Sequence, residues 1–196
     1  MTGNFLIRPV ILSLLWTLFC SGGNLLAFQP EEPARRHFYG GFLGFEFTHV
    51  MTQVEGAPII GYRITPRLHA GAGIKYQYFR SRQVDRMFSS HIWGPVAFTD
   101  FIVVKDLEEF LPFRFLGGAF MIHAEMNYFN LPVSRFGENN GHEGQTRFFR
   151  PTWLTGAGLR TRAGAGNALI FLVMMDVSGH SNPVYSNPVI RFGFVF

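Results

Sequence analysis

Two stretches of this 196-residue chain hold side chains that could do chemistry. The first is Gly179-His180-Ser181-Asn182, with Asp176 just upstream. A histidine can take the proton of a serine hydroxyl and make it a nucleophile for acyl transfer, provided a carboxylate orients the ring. His180 and Ser181 are adjacent, however, and neighbours on an extended chain point to opposite sides. The stretch is read first as a polar loop, with a His180/Ser181 enzyme as the alternative. The second is His123-Ala124-Glu125, with His69 and Asp100 elsewhere. Alternation puts His123 and Glu125 on one face, but a metal centre needs three or four converging ligands. A hydrogen-bonded interior is the preferred reading, and no metal, cofactor or catalytic residue is assigned. His142-Glu143 lies in a polar stretch and reads as solvated. Gly71-Ala72-Gly73 and Gly156-Ala157-Gly158 lack the strand-to-helix setting and the lysine of a phosphate loop.

The elements that must position these groups are strands. Hydrophobic residues make up 47% of the chain and charged ones 15%, with 23 Phe and 22 Gly, which excludes a disordered chain and disfavours a helical bundle. The net charge of +4 comes from scattered basic residues, so no nucleic-acid partner is expected. At the N-terminus, Arg8, the apolar run 9–19 and Leu25-Leu26-Ala27 have the order of a cleavable signal peptide over residues 1–27. The apolar run is shorter than the ~20 residues of a spanning helix. Cys20, the one cysteine, would leave with that segment, so no disulfide is expected; the bulky Phe19 before it argues against a lipoprotein. A polar leader over 28–37 precedes a single barrel domain over 38–196.

Within that domain, strands are read over 38–49, 54–64, 68–80, 92–104, 118–130, 151–161, 168–177 and 189–196; apolar residues alternate with glycine and polar residues in all but 168–177, which is apolar on both faces except Asp176. The stretch 68–80 is the clearest: Leu68, Ala70, Ala72, Ile74, Tyr76 and Tyr78 share one face, and His69, Gly71, Gly73, Lys75 and Gln77 the other. The final stretch sets Ile190, Phe192, Phe194 and Phe196 against Val189, Arg191, Gly193 and Val195. The pattern predicts an all-β fold: an eight-stranded antiparallel transmembrane β-barrel in up-and-down order, apolar outside and polar within. Polar segments near 80–91, 131–148 and 178–187 are read as long loops on one side. Residues 105–115 are read as an enlarged turn on the other, where an extra strand or a helical turn is the main threat to the count. Tyr76, Tyr78, Trp93, Tyr128 and Trp153 are placed as an aromatic girdle.

The charges carry the argument for membrane insertion. Glu46, Arg63, Lys75, Asp100, Glu125, Arg160, Asp176 and Arg191 all fall on the inward face, and the outward face as phased holds none. A charge facing lipid at mid-bilayer costs about 2–4 kcal/mol for Arg or Lys, whereas one inside is tolerable if paired. A charge network plugging the lumen is expected, with Glu46 and Arg63 on adjacent strands as a candidate pair, and an open pore is not.

Gly61-Tyr62-Arg63-Ile64-Thr65-Pro66-Arg67-Leu68 through Tyr78, and Tyr185-Ser186-Asn187-Pro188-Val189-Ile190-Arg191-Phe192-Gly193-Phe194, resemble a family of small Gram-negative outer-membrane barrel proteins, similar in layout to OmpA/OmpX-like barrels. The resemblance spans 38–196. It implies residence in the cell outer membrane among its lipids, as a monomer, and Phe196 as the signal read by the barrel-assembly machinery. The resemblance says little about activity; the role expected from the residues is structural or surface interaction through the loops, without enzymatic activity. Outer-membrane lipid A deacylases carry a His-x-Ser-Asn pattern, which the adjacent His180 and Ser181 do not match. A lipocalin-like small-ligand binder is a further alternative; it requires an apolar interior and a polar exterior.

Overall fold

In the computed structural model the strands β1 (His37–Phe47), β2 (Met51–Arg63), β3 (Leu68–Gln83), β4 (Arg86–Val104), β5 (Ala119–Pro132), β6 (Arg147–Arg162), β7 (Ala168–Asp176) and β8 (Val189–Val195) form one closed antiparallel barrel in sequence order. Residues 36–47, 51–83, 86–107, 118–136, 145–164 and 166–196 are described, apart from the side chains of 46–47, 51, 81–88 and 135. The segment read as a signal peptide and nearly all of the leader lie outside these residues, as does most of 105–115. β1 and β8 close the barrel from Gly40↔Val195 to Gly44↔Arg191. Beyond that register, Tyr39 and Phe196 exchange backbone hydrogen bonds of 3.0 and 2.9 Å.

The strands form because each is two-faced. In β8 every second residue is buried, from Val189 through Arg191 and Gly193 to Val195, while Ile190, Phe192 and Phe194 stand outside. The same alternation runs through β5, β6 and β7. Glycines on the inner face make room for aromatic rings from the neighbouring strand. A Cβ added at Gly61 would lie 2.0 Å from Cζ of Phe38, and one at Gly193 2.6 Å from Cδ1 of Phe42. Phe38 and Phe42 thereby reach the interior, where Phe42 meets Phe98 edge-on at 5.6 Å.

Two regions read as loops are strand in part. β3 and β4 pair beyond the apolar zone as far as Gln83↔Arg86, so 80–91 is mostly a hairpin that outgrows the barrel wall. The polar composition there marks solvent, not a loss of strand. β5 likewise runs to Pro132, opposite Arg147, before the single helical turn α1 (Val133–Phe136). The Glu46–Arg63 pair is excluded by register: Glu46 lies opposite Gln53 near the β1–β2 connection, while Arg63 lies at the other end of β2 beside His69 of β3.

Candidate functional site

The middle of the lumen is built from one inward side chain per strand level. Lys75 comes from β3, Glu125 from β5, Arg191 from β8 and Glu55 from β2. All four are buried, Lys75 and Arg191 completely. Glu125 is the hub. Its Oε1 accepts a hydrogen bond from the Lys75 ammonium and another from Asn127 Nδ2 at 2.8 Å. Its Oε2 accepts from Arg191 at 2.6 Å. Arg191 then donates through Nε to Glu55 Oε1 at 2.5 Å. The other Glu55 oxygen accepts from the Tyr185 hydroxyl at 2.8 Å.

Asp100 and His123 extend the chain of contacts. His123 donates through Nδ1 to Asp100 at 2.6 Å, and its Nε2 lies 3.6 Å from Glu125 Oε2. Three carboxylates thus face the basic groups of Lys75 and Arg191, with His123 as a third base beside Asp100 and Glu125. Around this layer Met121, Leu154, Leu172 and Met174 fill the interior, each at most 1% exposed. Ion pairs at this depth are screened weakly by solvent, so each partner is needed to offset the other's lost hydration.

Two connections close the end of the lumen away from the chain termini. The β7–β8 connection folds inward and buries Val184 and Tyr185. Burial, reinforced by the Glu55 carboxylate, holds the Tyr185 phenol well above its usual pKa, so it stays a donor. From α1, Phe136 packs edge-on against Phe79 at 6.3 Å. Arg150 ties the two connections together, donating to the Asn182 carbonyl at 2.7 Å and the Phe136 carbonyl at 3.3 Å. A cleft of about 190 Å³ opens at the same end beside the β1–β8 seam, between Phe45 and Ile190 and over Gln53 and Glu55.

The other charged residues singled out in the sequence lie apart from this centre. Arg63 and Arg160 are half-buried at the terminus-side mouth, where Arg160 donates to His69 Nδ1 at 3.0 Å. Asp176 ends β7, and its Oδ1 accepts from the Ser178 backbone at 2.9 Å. The side chain of Glu46 is outside the described ones. His180 donates through Nε2 to the Pro151 carbonyl at 3.0 Å, and Ser181 is exposed. Among the described residues no three His, Cys, Asp or Glu side chains converge as a metal cage would require.

Glu55 and Tyr185 are the two members of the centre that sequence reasoning passed over. Glu55 has the same parity as Arg63 and so was open to the alternation argument. Gly56, Ala57 and Pro58 interrupt the apolar rhythm next to it. Tyr185 sits in a loop with no period to read. Its only signal is the apolar pair Val184-Tyr185 within a run of Ser, Asn and Pro.

On the outer face, 25 large apolar side chains are exposed among the described residues. The outward positions from Leu68 to Tyr78 carry no charge. Those ten steps, at about 3.3 Å each and tilted about 40°, rise roughly 25 Å. At the upper edge of that span Tyr76, Trp93, Tyr128 and Phe149 cluster, with Tyr128 stacked on Phe149 at 5.2 Å. Beyond the aromatics come Arg80 and Arg147, the latter donating to the His91 and Asn130 carbonyls. No family model and no curated protein matches the chain.

Proposed function

We propose that this chain is an integral outer-membrane β-barrel with a sealed lumen, serving a structural or surface-interaction role through its outer connections. The observation that carries the reading is the inversion of a water-soluble protein. An uncharged apolar belt roughly 25 Å tall, the height expected of a lipid-facing band, surrounds an interior that holds the buried charges. A lipocalin-like binder would need the opposite arrangement. The aromatic cluster at the belt's upper edge fits a girdle at the membrane interface.

On this reading residues 1–27 direct export and are removed, and Phe196 closes the assembly signal. The connections tied by Arg150 face outward, away from the side holding both termini. The filled middle layer supports a plug and not a conduit. The test is to express the full chain in a Gram-negative host and fractionate it. The protein is expected in the outer membrane, with gel mobility that shifts on heating and no steady conductance in planar bilayers. Recovery as soluble periplasmic material would refute membrane residence, and stable channels would refute the plug.

A further inference from the structure

We infer that the terminus-side mouth of the barrel binds a small oxyanion, of phosphate or carboxylate type, between the guanidinium groups of Arg63 and Arg160. The register aligns Arg63, His69, Asp100 and His123 in one row across β2, β3, β4 and β5. Asp100 is the carboxylate of that row, and its Oδ1 is engaged by His123. Arg160 reaches across from β6 and donates to His69 Nδ1. A ring nitrogen that accepts carries no proton, so this His69 is neutral and presents its remaining N–H at Nε2. It steadies the guanidinium without balancing its charge.

Arg63 is the cross-strand neighbour of His69 and Arg160 bonds the His69 ring, so both cations meet at one residue, where they repel each other while Asp100 attracts Arg160 without a direct ion pair. Neither forms an ion pair with a carboxylate among the described residues. Both are partly exposed, so an ion from solution can reach them. Each guanidinium offers a planar fork of donors that matches an oxyanion's paired oxygens. An anion between them would turn the repulsion into two attractions. The surrounding field favours its arrival: Arg36, Arg63, Arg67, Lys105, Arg160 and Arg162 face the carboxylates of Asp100 and Asp106 among the described residues at this end. The site goes beyond the function proposed above and does not rest on membrane residence.

The test uses the full chain purified in a non-ionic detergent and titrated with inorganic phosphate, followed by calorimetry and phosphorus NMR. One saturable site is expected, weakening as sodium chloride is raised. Arg63→Gln, which removes a guanidinium that makes no hydrogen bond in the described structure, should weaken binding about tenfold, as loss of a charge-assisted contact does. Arg63→Gln with Arg160→Gln should abolish it. Arg67→Gln with Arg162→Gln, at the exposed rim, should leave the affinity within about twofold. Absence of saturable binding by the unsubstituted protein overturns the proposal. So does full binding by Arg63→Gln in protein whose heat-shifted mobility shows it folded, or an equal loss from the rim pair, which would mean a diffuse field and no site.

Discussion

The middle of the lumen and its terminus-side mouth treat charge differently. In the middle layer Glu125 touches Lys75 and Arg191, Arg191 touches Glu55, and none of these side chains is more than 4% exposed. At the mouth, Arg63 and Arg160 are half-buried beside a neutral His69, neither paired with a carboxylate among the described residues. Depth explains the difference. Deep in the lumen a charge without a partner would be prohibitive, so register and pairing must agree. At the mouth water screens the repulsion, and two like charges can be kept together at modest cost. The middle layer is therefore a structural device and the mouth a place free to bind.

The sharpest way to break this comparison is Glu125→Gln. It leaves Lys75 without an ion-pair partner among the described residues and Arg191 with one of its two, and should cost about 3–5 kcal/mol, read as a lower urea midpoint in detergent or loss of the heat-shifted band. Lys75→Met with Glu125→Leu removes opposite charges together and is expected to recover more than half of that loss, since a well-packed apolar pair can replace a buried ion pair. Tyr185→Phe should cost about 1.5–3 kcal/mol by leaving one Glu55 oxygen without its donor, in the same unfolding measurement. The phenol's raised pKa adds a pH signature with a definite sign. Folding favours the protonated form, so this stabilisation is complete below the unfolded value of about 10 and is lost as pH climbs through the folded value. Near-ultraviolet titration should show one tyrosine resisting ionisation after the others, and Tyr185→Phe should remove it. Smallest of all, Arg160→Gln should cost about 1 kcal/mol or less, because it relieves the repulsion from Arg63 as it gives up the bond to the buried His69 ring. A loss as large as that of Glu125→Gln would erase the distinction between the two layers.

The faces of the strands were legible in the residues themselves. Ile190, Phe192 and Phe194 against Arg191 and Gly193 can be satisfied in few ways, and the observed burial follows the alternation residue by residue. The partners were not legible. Which inward charges meet depends on the stagger between strands, which alternation leaves open; Glu46 and Arg63 share an interior but sit at opposite ends of a hairpin. Arg191 finds Glu55 and Glu125 on β2 and β5, contacts that only closure of the sheet creates. Strand ends were misjudged for a related reason. Arg80 to Arg86 reads as loop because it is polar, yet a hairpin can leave the apolar zone with its hydrogen bonds intact. Tyr185 was hidden because a loop residue announces its burial through no period.

The seam between β1 and β8 has a consequence for how the barrel comes to be correct. Its last register pair is Gly44↔Arg191, and Arg191 also joins carboxylates from β2 and β5. Closing the cylinder and neutralising its interior are thus a single event. A sheet that closed one residue out of step would turn Arg191 to the outside and leave Glu55 and Glu125 short of a cation. A misregistered cylinder is therefore penalised at both faces at once, so the same side chain that neutralises the lumen also selects the register of the seam.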